Sequence, residues 1–190
     1  MLPRSFYLHS SAVQIARQLL GKWLLTNIGG KVTGGMILET EAYEGPHDRA
    51  CHAYKNRRTP RTEVMFGEGG HAYVYLCYGM HCLFNVVTGP ENTAHAVLIR
   101  ALLPTDGIEE MVRRRKKAKN LTTGPATVCK ALGIERIHSG SDLLKGPIWI
   151  EDRGFTPEEV IASPRIGIDY AGEDALLPWR FRIAQEIENP

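Results

Sequence analysis

The chain has no long uninterrupted apolar run. Its nearest candidates are Ile15 to Leu25, broken by Arg17, Gln18 and Lys22, and His95-Ala96-Val97-Leu98-Ile99. Both fall short of the roughly 20 apolar residues that a membrane-spanning helix needs, which excludes a helical span. Met1-Leu2-Pro3-Arg4-Ser5 lacks the charged lead and apolar stretch of a secretory signal, so the cytoplasm is the expected location. Cysteine is scarce: Cys51, Cys77, Cys82 and Cys129 form no CxxC pair. A chain of this size needs no disulfide staples, and reduced thiols are expected. Cys77, His81 and Cys82, with Cys51-His52 upstream, invite a zinc reading, but on a strand His81 and Cys82 point to opposite faces. Buried, satisfied side chains are the preferred reading, and no metal is expected. Neither charge sign dominates, with 23 Lys and Arg against 21 Asp and Glu and a net charge of +2, so bulk composition does not announce a polyanionic partner. Internal repeats and low-complexity segments are absent too.

What is present fits one globular domain over 1–190. With 190 residues, 43% of them hydrophobic, the chain can bury a sizeable core. Basic residues cluster at Arg57, Arg58 and Arg61 around a Thr-Pro turn, and at Arg113 to Lys117 with Lys119. Either cluster suits phosphates, and the second suits a solvated helix face equally well. Ser10-Ser11 before Ala12, Val13, Ile15, Ala16, Leu19 and Leu20, with Gly21 beyond, predicts a capped amphipathic helix. Trp23-Leu24-Leu25 and Lys31-Val32 around Asn27 to Gly30 predict a hairpin, continued by a strand over Gly35 to Glu41. Glu44 to Gly70 reads as a long irregular segment, the kind that carries function in compact domains. Strands are expected at His71 to Tyr78, Cys82 to Thr88 and Ala94 to Leu102, forming an antiparallel meander. A helix follows Thr105-Asp106-Gly107 with its acids first, and another runs from Pro125 to Leu132 with Thr123 as its N-cap. Short strands are expected at 148–150, 165–168 and 180–183. The fold class is therefore α+β: a single mixed domain with a curved antiparallel sheet, a protruding β-hairpin and flanking helices.

Chemistry concentrates in Glu39-Thr40-Glu41-Ala42-Tyr43. Alternation on a strand puts Glu39, Glu41 and Tyr43 on one face. A rise of about 3.3 Å per residue sets the two carboxylates some 6.6 Å apart, close enough for repulsion to tune one of them as a general base. Downstream, Tyr73, Tyr75 and Cys77 share a face, and Tyr78-Gly79-Met80 sits at a turn. A large apolar pair at a protruding tip suits a wedge that enters the minor groove and unstacks a base step.

At these residues the sequence resembles the alkyladenine DNA glycosylases, the 3-methyladenine excision family also called methylpurine glycosylases. The likeness runs from about Leu8 to Ile183. It is carried by Glu39 to Tyr43, Ala50-Cys51-His52, Thr59-Pro60-Arg61, Tyr73-Val74-Tyr75, Tyr78-Gly79-Met80, Asn85 and Val97 to Leu102, with Thr123-Gly124-Pro125 and Arg165 to Ile168 beyond. The resemblance implies that Glu41 is the general base for water, with Arg100 beside it holding the sugar or phosphate of the flipped nucleotide. Tyr43, His52 and Tyr75 would wall the base pocket, and Asn85 would stand at its floor to exclude guanine. Tyr78 would be the wedge in the DNA, with Met80 beside it. Thr123, Arg165 and Arg182 would touch the DNA backbone.

The implied activity is hydrolysis of the N-glycosidic bond of alkylated or deaminated purines (3-methyladenine, 7-methylguanine, hypoxanthine, ethenoadenine) flipped from double-stranded DNA, leaving an abasic site in base excision repair. Water is the implied nucleophile, so no cofactor is expected, and no lysine is placed for Schiff-base attack, so no lyase activity either. The expected protein is a monomer without an obligate protein partner, bound to the nucleoid when on DNA. Two rivals stay open: a non-catalytic module for damaged or single-stranded nucleic acid, and a hydrolase of free nucleosides or RNA.

Overall fold

In chain order the elements begin with α1 (Arg4–Tyr7), α2 (Ala12–Leu19), β1 (Trp23–Ile28) and β2 (Lys31–Glu44). A meander follows, of β3 (Ala72–Cys77), β4 (His81–Thr88) and β5 (His95–Asp106). Two helices come next, α3 (Ile108–Arg115) and α4 (Pro125–Leu132), then β6 (Ile148–Glu151), β7 (Val160–Ser163) and β8 (Arg180–Ile183). These assignments come from a computed structural model that describes residues 1–8 and 11–184. The segment between β2 and β3 holds only short 3-10 turns, at Gly45–His47, Tyr54–Asn56 and Glu63–Phe66.

All eight strands join one antiparallel sheet in the order β3-β4-β5-β2-β1-β6, with the β7–β8 hairpin attached through β8 to β2. The long β2 explains the fork. Its first half pairs with β1 from Lys31 to Met36, and its second half pairs with β8 at Glu39, Thr40 and Glu41. Along its other edge β2 pairs with β5 from Gly34 to Glu44. Glu41 therefore sits on a strand held from both sides, which fixes its backbone before any side chain is considered. Register shifts flank Glu39, so that Leu38 and Arg100 are both passed over as Ile37↔Leu102 gives way to Glu39↔Ala101 and Thr40↔Ile99. Such bulges re-aim side chains.

One face of the sheet is covered by helices. Ile15 and Leu19 of α2, Met111 of α3 and Val128 and Leu132 of α4 pack on Ile37, Ala42, Phe84 and Ile99. Thr40 points to that face, its hydroxyl donating to Ala16 O at 2.8 Å. The opposite face, with Glu39, Glu41 and Tyr43, is left for the irregular segment, whose Cys51, Ala53, Met65 and Phe66 form a smaller cluster with Tyr73, Val87 and Ala96. Strand alternation thus separates core from site as the sequence predicts.

Local chemistry explains most element ends. Ser11 accepts from Gln14 N at 3.4 Å and caps α2; the second serine of the expected pair, Ser10, lies outside the described residues. Gly107 starts α3 at φ +68°, and a Cβ there would lie 2.1 Å from Val32 O. Two expectations need correction. Thr123 is exposed and does not cap α4; Gly124 is the N-cap, and Thr127 Oγ1 accepts from its N–H at 2.9 Å. Residues 165–168 form no strand, with a bend at Ile166 and Gly167, and the neighbouring strand is β7, which ends at Ser163 because Pro164 cannot donate to a ladder. The basic run at the end of α3 is also partly spoken for. Arg113 and Arg114 both pair with Glu110, and Arg114 reaches inward to Thr33 Oγ1 and Ala131 O. The four cysteines are free thiols.

Candidate active site

A cleft of about 440 Å³ opens on the sheet face away from the helices, lined by Glu41, Tyr43, His52, Tyr75, Asn85 and Arg100 among others. The six residues assigned to catalysis and the base pocket thus converge from β2, β3, β4, β5 and the irregular segment. Tyr78 also borders the cleft.

Glu41 is buried, with 0% of its surface exposed, and is held by three donors. Its Oε1 accepts from Ile166 N at 2.9 Å and pairs with Arg100 Nη1 at 3.2 Å, while Oε2 accepts from the Tyr43 hydroxyl at 2.8 Å. Burial, together with this carboxylate, holds the Tyr43 phenol far above the usual tyrosine range, so it remains a donor. The two glutamates do share a face, but they are not a bare repelling pair. Arg100, displaced by the bulge, stands between them with Nε 3.0 Å from Glu39 Oε1, and Arg180 Nη1 reaches the same oxygen at 3.0 Å. The bulge converts a like-charge pair into an alternating cluster.

The aromatic side is ordered by His52. Its ring meets Tyr75 edge-on at 4.6 Å, and Tyr73 and Tyr75 lie tilted at 5.5 Å. Arg61 Nη2 lies 3.1 Å from His52 Nε2, and Tyr73 Oη lies 2.8 Å from Nδ1. The same Arg61 Nη2 lies 3.4 Å from Nδ1, so the guanidinium faces both ring nitrogens. Burial first, then the cations of Arg61 and Arg57, pull the His52 pKa down to about 4. The imidazole is therefore neutral near pH 7, and it can face a cationic ligand without repulsion. Asn85 is buried below, its Nδ2 donating to Tyr73 O at 3.1 Å.

At the hairpin tip Tyr78 is 90% and Met80 72% exposed. Tyr78 takes φ +50°, a left-handed conformation rare for a bulky residue, in a turn closed by Met80 N donating to Cys77 O at 3.2 Å. The backbone thus holds a large ring out in water at some local cost.

The sequence matches the family model described as methylpurine-DNA glycosylase (MPG) over residues 5–187. It is 50% identical over 185 residues to a protein of Chlamydia felis (strain Fe/C-56) provisionally named 3-methyladenine DNA glycosylase, covering 95% of each chain. A Bacillus cereus (strain AH820) protein with the same provisional name is 47% identical over 195 residues, covering 94% of this chain and 93% of that one. The chain belongs to the methylpurine-DNA glycosylase family. Membership carries glycosylase activity, a role in DNA repair and DNA as the partner, in the coarse sense that the family name gives them.

The expected backbone contacts fare differently from the pocket. Arg182 is exposed on β8, opposite Glu39 in register, and Thr123 is exposed ahead of α4. Arg165 is instead an interior residue, out of reach of a phosphate. Its side chain is fully buried, forked onto Asp48, and its guanidinium lies 4.8 Å from the Tyr43 ring and 5.1 Å from the Trp179 ring. The backbone of its neighbour, Ile166, supplies a donor to Glu41. Sequence reasoning assigned no role to Asp48, Tyr73 or that N–H, and it gave Arg61 only to a phosphate-facing cluster. The Arg61 signal was present in Thr59-Pro60-Arg61, but only the fold brings its guanidinium to 4.9 Å over Tyr75.

Proposed function

We propose that this protein hydrolyses the N-glycosidic bond of damaged purines flipped out of duplex DNA, with Glu41 as the general base for water. The observation that carries this reading is the state of the carboxylate. A carboxylate has about four lone-pair positions; Tyr43, Ile166 and Arg100 occupy three. The remaining one, on Oε2, is the position that would take the proton of an attacking water, and Glu41 lines the base-binding cleft. Glycosidic cleavage passes through an oxocarbenium-like state, and the buried negative charge also stabilises the sugar as that charge develops.

The walls suit the substrate class. A purine alkylated at a ring nitrogen is cationic, and a cation between tyrosine faces gains about 0.5 to 2 kcal/mol. Asn85, pinned by Tyr73 O, occupies floor space that the 2-amino group of guanine would need. Tyr78 at the tip would fill the gap left by the extruded nucleotide, and extrusion costs least for damaged or mispaired bases. Among the described residues no lysine lines the cleft, which supports water as nucleophile and a monofunctional enzyme. We assign it to the cytoplasm, acting on the nucleoid as a monomer.

The test is base release from duplex oligonucleotides, each carrying one lesion, scored by abasic-site cleavage. Glu41→Gln is expected to keep DNA binding and lose release by at least about 100-fold. Release by Glu41→Gln at the parent rate would refute the assignment, and binding without release by the parent protein would favour a recognition module instead.

A further inference from the structure

The Arg165–Asp48 pair lies on the far side of the Tyr43 ring from the cleft. Tyr43 lines the cleft, whereas Arg165, Asp48 and Trp179 do not. The guanidinium is stacked between two rings, 4.8 Å from Tyr43 and 5.1 Å from Trp179. Its Nη atoms fork onto Asp48 and also donate to Ala42 O at 2.8 Å and Asp174 O at 3.2 Å. Both side chains of the pair have 0% exposure. Burial works against the charge, but Asp48, Tyr43 and Glu41 more than offset it, so the guanidinium is permanently cationic.

This arrangement is more than is needed to anchor a ring. A leucine would fill the same space, and replacing a buried ion pair by apolar side chains is often neutral for stability. A cation over a ring draws on the π face that a second cation would use from the opposite side. The forked contact puts the Asp48 carboxylate at the edge of the guanidinium plane, so the positive end lies on the ring axis and the negative end off it.

We propose that Arg165 is a specificity-setting positioning residue: acting through Tyr43, its charge weakens the cleft's preference for cationic bases and so lets neutral lesions compete. The inference rests on the proposed glycosylase reading and adds to it the electrostatic balance between two substrate classes. Orientation of the ring is a second, uniform effect of the same residue, since its neighbour Ile166 also helps to hold Glu41.

The test compares single-turnover base release from duplexes carrying 3-methyladenine, cationic as the nucleoside, or hypoxanthine, which is neutral; neither base carries the 2-amino group that Asn85 opposes. The perturbation is Asp48→Asn with Arg165→Met, which removes both charges and keeps the volume. Any loss of ring orientation lowers both rates together, so the readout is their ratio. The ratio of cationic to neutral release is expected to rise by about threefold or more, and Arg165→Lys, which keeps the charge, is expected to restore the parent ratio. Should that double variant fail to fold, Asp48→Asn with Arg165→Gln carries the same comparison with neither charge present. An unchanged ratio in the uncharged variant, or an equal rise in Arg165→Lys, would overturn the inference. Failure of the parent protein to release either base would refute the glycosylase reading itself, so the two failures are distinguishable.

Discussion

Replacing Tyr78 by asparagine is expected to make the protein more stable and less active on duplex DNA. Tyr78 has φ +50° and is 90% exposed, so it holds an unfavourable backbone conformation with little packing in return. The left-handed region costs an L-residue roughly 1–2 kcal/mol, and asparagine tolerates it better than tyrosine. A gain of about 1 kcal/mol is therefore expected, which for a chain of this size raises Tm by roughly 2–4 °C. Glycine would relieve the same strain but lose part of the gain to the entropy of its unfolded state. Function should move the other way. Stacking of a base on an aromatic side chain is worth about 1–3 kcal/mol, so release from a duplex should fall roughly 5- to 150-fold. Release of the same lesion from a single strand, where nothing needs to be wedged apart, should change by less than about twofold. Calorimetry and paired release assays on the two substrates decide the matter. A lower Tm would refute the strain argument, and equal losses on duplex and single strand would refute the wedge.

Two further expectations concern the cleft. His52 is neutral when folded, with its pKa pulled down to about 4 from the ordinary 6.5. Between those values the unfolded chain binds the extra proton, so stability is lost as pH falls through that window. Going from pH 7 to pH 5 should cost about 2 kcal/mol through this residue alone, and urea unfolding of His52→Gln should show correspondingly weaker acid sensitivity; an identical pH dependence would count against a buried neutral imidazole. Glu39 accepts from Arg100 and Arg180 at 3.0 Å each, so Glu39→Gln should loosen Arg100 and lower single-turnover release about 10-fold. DNA affinity measured by fluorescence anisotropy should stay nearly unchanged, and a loss confined to affinity would show that Glu39 serves only the surface.

The faces of the strands were legible in the chain. Glu39, Glu41 and Tyr43 lie on one side and Thr40 and Ala42 on the other, because alternation follows from backbone geometry and needs no partner. The hairpin tip at Tyr78-Gly79-Met80 was legible from its turn glycine, and the cap at Ser11 from a serine placed just ahead of an apolar helical pattern. Thr123 was misread because capping depends on which hydroxyl the turn brings round, and Thr127 supplies it from inside the helix. Arg165 was misread as a surface contact because a guanidinium carries no mark of whether its counter-ion is a phosphate or an aspartate 117 residues away.

The amino-acid order alone settled the secondary structure around the site, the side of the sheet on which the carboxylates stand, and, through the family motifs, the kind of chemistry to look for. Tertiary structure decided how the charges are paired. Arg100 reaches Glu39 across 61 positions and Ile166 N reaches Glu41 across 125. Side-chain periodicity is a property of the local backbone, whereas the partner of a buried charge is chosen by whichever strand or loop the fold lays beside it.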